Sequence, residues 1–236
     1  MLTIHAISDT HTRHRQLKLD GGDILIHAGD ATHQGHLAET IGFLDWFADQ
    51  DYSHLIFVPG NHDTIFELNP SLMADECKQR NIALLNDSGC EVEGIKIWGS
   101  PVQPWFFDWA FNRRRTKEEA AKFGGGFIKD HWDLIPADTD LLITHGPPHG
   151  ILDFVPRAGG ILEHVGCKEL LAKIYQTQVK LHIFGHVHYA SGHKYLDGRT
   201  FVNAANLNEQ YTVRNAQPTV ITKDIAGEYF VQTETQ

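Results

Sequence analysis

Five short apolar runs in this chain each end in a cluster of small, acidic or imidazole residues, and that repeated pairing restricts the folds open to it. Residues 2–8 run into Asp9, 24–27 into Gly29-Asp30, and 55–58 into Pro59-Gly60-Asn61-His62-Asp63. Residues 141–144 run into His145-Gly146-Pro147-Pro148, and 181–184 into Gly185-His186-Val187-His188. A run of four to eight apolar residues bounded by turn formers reads as a buried strand. Residues 95–99 form a sixth such run, leading to Ser100-Pro101.

The intervening segments carry helical patterns. Leu37–Ala48 puts Leu37, Ile41, Leu44 and Phe47 on one face, with Ala48 beside them. Pro70–Gln79 and residues 168–175 are shorter candidates, and Lys117–Phe123 is amphipathic and stops at Gly124-Gly125-Gly126. Residues 200–203, 219–222 and 229–233 read as strands. Strand–helix alternation followed by strands predicts an α/β layered core with two facing sheets. No internal repeat, low-complexity tract or linker interrupts it, so a single domain over residues 1–236 is expected.

Composition narrows the function classes. A formal charge of −10 argues against broad affinity for nucleic acid or anionic membranes. It leaves room for a small phosphorylated substrate, because bound metal reverses the local field. No apolar run approaches the ~18–20 residues of a membrane span, and no basic stretch precedes an apolar one at the start, so neither a span nor a secretory signal is expected. Cys77, Cys90 and Cys167 are far apart with no CxxC pair, which points to a reducing cytoplasm rather than a disulfide scaffold or a cysteine zinc site.

In α/β sheets ligands gather beyond the carboxyl ends of strands, so the five polar clusters are positioned to converge. Asp9-Thr10-His11 and His186-Val187-His188 place two side chains on the same side of an extended segment. Carboxylate, imidazole and amide donors together suit Mn, Fe, Zn or Co better than Ca or Mg. The glycines before Asp30, Asn61 and His186 are read as sharp backbone turns. Alone, Asp-x-His is a turn or cap, Gly-Asp is a turn, and His145 is uninformative; the five together, in order and each after a strand, make a metal site the better reading.

These residues resemble the calcineurin-type metallophosphoesterase family, whose pattern D-x-H, GD, GNH(D/E), H and GHxH is present in order from Asp9 to His188. A closer resemblance is to the metallophosphoesterase-domain-containing subgroup. It rests on the stretch from Gly99-Ser100-Pro101 through Pro104-Trp105-Phe106 to Trp109-Ala110-Phe111-Asn112, on Thr144-His145-Gly146-Pro147-Pro148-His149-Gly150, and on Phe201-Val202-Asn203-Ala204-Ala205-Asn206. The resemblance implies an α-β-β-α sandwich of two mixed sheets flanked by helices. It implies two divalent transition metal ions, manganese first and iron, zinc or cobalt as alternatives. One would take Asp9, His11 and His188, the other Asn61, His145 and His186, with Asp30 bridging and His62 beside the pair without binding.

The expected activity is a phosphodiesterase on small nucleotides, cyclic ones first, with in-line attack by a metal-bridging hydroxide and His62 as general acid. Asn61 and Asp30 are counted with His62 in the catalytic set, and Asp63 is a candidate to orient His62. A phosphomonoesterase or a dinucleotide pyrophosphohydrolase would share the same core, and a silent scaffold of this fold would show missing ligands, of which there are none. Substrate contacts are expected from Trp105 (with Phe106 and Trp109 as alternative stacking partners), His149 and Arg113. His14 is also placed near phosphate, while His33, His36 and His193 read as exposed or capping residues. Arg113-Arg114-Arg115 departs from the subgroup's shorter Pro-Arg-Gly and reads as a solvated basic loop. The expected partner is a small phosphorylated molecule, a nucleotide by resemblance, not a membrane or nucleic acid; assembly into a homo-oligomer stays open.

Overall fold

The computed structural model describes residues 1–232, so Thr233, at the end of the last expected strand, lies outside the described residues. Two six-stranded mixed sheets form its centre. In the first, the order is Tyr229–Val231, Thr219–Lys223, Leu2–Ile7, Gly22–His27, Tyr52–Phe57 and Ile82–Leu84. In the second it is Gly192–Leu196, Arg199–Asn203, Leu181–Phe184, Leu141–Thr144, Ile95–Ser100 and Ser88–Val92. The strands that carry the polar clusters are parallel neighbours: Leu2–Ile7 beside Gly22–His27 beside Tyr52–Phe57, and Leu141–Thr144 beside Leu181–Phe184. Their carboxyl ends therefore share one edge of each sheet.

Strand alternation sorts the apolar residues into three layers. Ile4, Ile24, Ile26 and Ile56 of the first sheet meet Ile97, Ile143, Leu181 and Ile183 of the second in a dry central layer. The opposite face of the first sheet, Ile7, Leu25 and Phe57, packs on Phe43, Leu44, Phe47, Met73 and Cys77 of its helices. The outer face of the second sheet, Leu142, Phe184 and Phe201, packs on Ile128, Trp132, Leu170 and Ile174. This is the expected α-β-β-α sandwich. Among the described residues no helix is long and apolar enough to cross a membrane.

In Leu37–Ala48 the buried face is Thr40, Phe43, Leu44 and Phe47 with Trp46, while Leu37, placed on the apolar face, is 47% exposed. Lys117–Phe123 buries none of its residues; it is held by its cap, where the Thr116 hydroxyl accepts from the Glu119 N–H at 3.1 Å. Ile82–Leu84, Ser88–Val92 and Gly192–Leu196 were not anticipated, being short or lying at sheet edges with polar and glycine residues that blur the period.

Phe43 touches Phe47, Phe57 and His27 with ring centroids 4.9–5.3 Å apart. Phe43→Ala is expected to cost about 3–5 kcal/mol, read by urea unfolding.

Candidate metal centre

The five loops meet at the sheet edges. Asp9 lies after the first strand, and both its carboxylate oxygens accept from the His186 N–H, at 3.0 and 2.9 Å. Asp30 lies after the second; its Oδ1 accepts from the His62 N–H at 2.8 Å, and its Oδ2 lies 3.3 Å from His145 Nε2 and 3.7 Å from His11 Nε2. His188 Nε2 stands 3.3 Å from Asp9 Oδ1. Both carboxylates are buried, Asp9 wholly so. Three groups bring candidate ligand atoms within 4.8 Å of one another: Asp9 with His11 and His188, His11 with Asp30 and His62, and Asp30 with His145 and His186. Asp30 and His11 each belong to two groups, so the clusters are continuous.

The backbone reaches this arrangement under strain. Asp9, His11, Asp30 and His186 all adopt positive φ, at 53°, 39°, 56° and 68°. Non-glycine residues occupy this region only where surrounding structure compels it. The compulsion comes from buried polar anchors. The Asp63 carboxylate accepts from the N–H groups of Ala31, Thr32 and Gly60 and from the Thr32 hydroxyl. It therefore clamps two ligand loops together and does not orient His62 as expected; His62 is oriented by the His33 carbonyl, which accepts from its Nδ1 at 2.8 Å. Behind the loops, Thr10 bonds His27 Nε2 at 3.0 Å and Thr144 bonds His182 Nε2 at 2.8 Å. Burial pushes both of these histidines down to about 3, which keeps them neutral.

Gly29 does turn through positive φ, at 104°, as read from the sequence. Gly60 and Gly185 are not in that region; they are glycine because a Cβ on Gly60 would overlap Asp30 and His145, and one on Gly185 would overlap Asp9 and Ser8.

The electrostatics call for cations. The Nδ1 atoms of His11, His145 and His188 each face a carbonyl oxygen, of Thr32 at 3.2 Å, Ala28 at 3.0 Å and Asn208 at 2.9 Å. A carbonyl only accepts, so each Nδ1 carries the hydrogen, and in the neutral ring each Nε2 presents a lone pair. His11 Nε2 and His188 Nε2 are then two acceptors 3.4 Å apart, and His145 Nε2 meets the side-chain Oδ1 of Asn61 at 3.0 Å. Acceptors aimed at each other and at two buried carboxylates fit a bound divalent cation. Without one, protons fill the role. Burial opposes the charged form of His145, but Asp30 overcomes it and raises the group to about 9. Burial likewise opposes charge on His188, and its bond to Asp9 raises it to about 9. Burial lowers His11 to about 4 and His186 to about 3. Burial works to raise Asp9 and Asp30, but His188 on the one and His145 on the other bring both below the usual carboxylate range.

A cavity of about 900 Å³ opens over these loops, lined on the near side by His11, Asp30, Asn61, His62, Phe106 and Tyr211. The aromatic loop that walls it is tied by Asn112. The Asn112 amide donates to the carbonyls of Phe107 and Trp109 at 2.8 and 2.9 Å, and its oxygen accepts from the Phe106 N–H. The Ala110 N–H donates to the Asn61 carbonyl, joining this loop to a ligand loop. Trp109 stacks on His62 at 4.0 Å, and Phe106, 46% exposed, meets His186 edge-on. Trp105 lines the cavity, but the Arg114 guanidinium lies 3.6 Å from its ring centre, so Phe106 is the more available aromatic.

Arg113 does not line the cavity. Its guanidinium is taken by Glu67 at 3.0 Å and by His131 Nε2 at 2.9 Å. The basic run is not a solvated loop: Arg114 covers Trp105, and Arg115 binds the carbonyls of Val165 and Gly166 and lines the cavity. His14 is buried against Phe43 and Trp46, away from the cavity, whereas His149 lines it. Sequence reading passed over Tyr211, which holds φ 58° with its ring 4.7 Å from that of His11, and over the buried His27 and His182. A histidine inside an apolar strand, as in Leu181-His182-Ile183-Phe184, was the available signal, since a buried polar group needs a partner.

The calcineurin-like phosphoesterase family model matches residues 2–190 of this sequence. The chain belongs to that family. Metallophosphoesterase domain-containing protein 1 of Homo sapiens is 37% identical over 229 residues, covering 87% of this chain and 66% of that protein. The chain thus spans a little under two thirds of the human relative's length. A UPF0046 protein of Caenorhabditis elegans is 32% identical over 220 residues, covering 88% of this chain and 71% of that one. Among solved structures, TT1561 of Thermus thermophilus matches with a TM-score of 0.60 at 13% identity over 98% of both chains. Phosphopantetheinyl hydrolase from Mycobacterium tuberculosis matches at 0.59 and 15%, over 89% of this chain and 90% of that one. At such identities the likeness is one of fold, and it is the fold described above. Membership in the phosphoesterase family and the acceptor-rich cluster agree on divalent metal binding.

Gly60→Ala is expected to lower metal content, measured by elemental analysis of the purified protein, because the new methyl displaces Asp30 and His145. Gly42→Ala, in a helix with nothing within 4 Å, is the control and should stabilise the protein by about 0.5–1 kcal/mol. Metal affinity should also depend on pH. His145 and His188 are raised, so each carries a proton below about pH 9 that metal must displace. Apparent Mn²⁺ affinity should therefore rise between pH 6 and 9, up to about tenfold per pH unit for each displaced proton, with matching proton release in weakly buffered titrations.

Proposed function

We propose that this protein is a metal-dependent phosphodiesterase acting on small nucleotides, cyclic ones first, with two divalent ions, manganese foremost. Asp9, His11 and His188 would hold one ion, Asn61, His145 and His186 the other, with Asp30 between them. Such a pair supplies Lewis-acid neutralisation of the phosphoryl oxygens and an acidified water. The single observation that carries the reading is the set of imidazole lone pairs and buried carboxylates directed at common points, with each Nδ1–H fixed on a carbonyl.

The chain's own residues do the rest. His62 lines the cavity with its Nδ1–H committed to His33, so the Nε2 side is the one that can exchange a proton with a bound ester. As an imidazolium it gives the Nε2 proton to the leaving oxygen, and the neutral tautomer left behind is the one the His33 carbonyl stabilises. Trp109, stacked on the ring, fixes its plane. Phe106 and Tyr211 wall a space far larger than one phosphate, which favours a nucleotide over a small monoester. Base stacking on the exposed Phe106 would contribute about 1–3 kcal/mol.

The test is turnover with Mn²⁺ on 2′,3′-cyclic AMP, 3′,5′-cyclic AMP and a phosphomonoester in one assay. A cyclic substrate should be preferred; preference for the monoester would move the assignment to a phosphatase, and no turnover with metal bound would overturn it. Asp30→Ala should lose both metal and activity. His62→Ala should keep its metal and lose about 10²–10⁴-fold in turnover on an ester with a poor leaving group, and undiminished turnover there would remove His62 from its role.

A further inference from the structure

The cavity extends well past the metal loops. Another part of its lining, Glu163–Gly166, is anchored by Asp153, a fully buried carboxylate that accepts from the N–H groups of Gly150 and Gly166 at 2.9 and 3.0 Å. Asp153 also accepts from His164 Nδ1 at 2.6 Å. That bond fixes the half-exposed His164 ring at the cavity wall with its Nε2 uncommitted. Arg115 reaches the same place from another part of the chain, donating to the carbonyls of Val165 at 2.8 Å and Gly166 at 3.1 Å. Two of the guanidinium's five N–H groups are thereby used and three are left. Lys168 follows two residues after Gly166 and also lines the cavity.

The acids of the lining do not cancel this charge. Glu163 is paired with Arg157, and Glu209 with Arg214. Arg115 and Lys168 form no ion pair among the described residues, and of the lining carboxylates only Glu169, next to Lys168 in the sequence, is without an ion-pair partner there. In an acidic protein, two cations without an ion pair and an anchored imidazole have been gathered in the lining of the cavity that the metal-site residues also line.

We propose that this wall is a second anion subsite and that the substrate is a phosphoester bearing a separate phosphate, held by Arg115, Lys168 and His164 while the scissile ester lies on the metal loops. A phosphate is the group suited to it, because its oxygens accept at once from a planar guanidinium, from an ammonium and from an imidazolium whose other N–H is held by the Asp153 carboxylate. The volume of about 900 Å³ accommodates a molecule carrying two phosphates. The inference rests on the nucleotide reading above and makes it narrower.

Calorimetric titration of the Mn²⁺-supplemented full chain with 5′-AMP and with adenosine 3′,5′-bisphosphate tests it. The second phosphate should tighten binding by about tenfold. Lys168→Gln and His164→Gln, both at exposed positions, should each erase most of that gain; Arg115 is left intact because it also holds the Val165 and Gly166 carbonyls. A gain under about twofold in the unaltered protein, or a gain that survives both substitutions, overturns the subsite while leaving the nucleotide reading in place. Failure of both nucleotides to bind overturns the nucleotide reading and the subsite with it.

Discussion

Two buried carboxylates and a ring of imidazole lone pairs aimed at each other cannot be packed together without positive charge, and the architecture around the site is organised by that requirement. Asp9 and Asp30 are out of water, and what faces them is the Nε2 side of His11, His145 and His188. Each ring is held so by a backbone carbonyl at its Nδ1, which removes the tautomer that would have relieved the repulsion. Protons can stand in, which is why two of the histidines are pushed up to about 9. The left-handed backbone at four of the candidate ligands is the conformational cost of the same arrangement, and the Asp63 clamp and the buried threonine–histidine pairs offset it.

Much of this was legible in the sequence because it is local. Apolar runs ending in Asp9, Asp30, Asn61, His145 and His186 located the carboxyl ends of parallel strands, and strand geometry brings such ends to one edge. The two facing sheets followed from the same runs. Boundaries were less secure where an edge strand is short or polar, as at Gly192–Leu196, since exposed strands lack the apolar alternation that marks buried ones.

What could not be read depends on pairs far apart in the chain. Nothing near Asp63 says that its carboxylate grips the backbone at Ala31 and Thr32, and nothing near His62 says that the His33 carbonyl holds it. Arg113, Arg114 and Arg115 look alike in sequence, yet they end on Glu67, on Trp105 and on the Val165 carbonyl respectively. Consecutive side chains on extended backbone leave in opposite directions, so a basic run has no single environment. Gly60 and Gly185 were identified as special for the wrong reason: they are defined by what lies beside them, not by their own dihedral angles.

The loop around Asn112 has a consequence for how this scaffold can diversify. Residues 103 and 112 are paired at its neck, and one amide side chain satisfies the backbone of Phe106, Phe107 and Trp109 from inside. The loop thus supplies most of its own hydrogen bonds, and its Ala110 and Phe111 N–H groups tie it to Asn61 and Glu67 beneath. It behaves as a cassette: side chains at its tip are open to exchange while the neck and the knot persist. The cavity wall can then be retuned at Phe106, while Trp109, lying against His62, stays with the site.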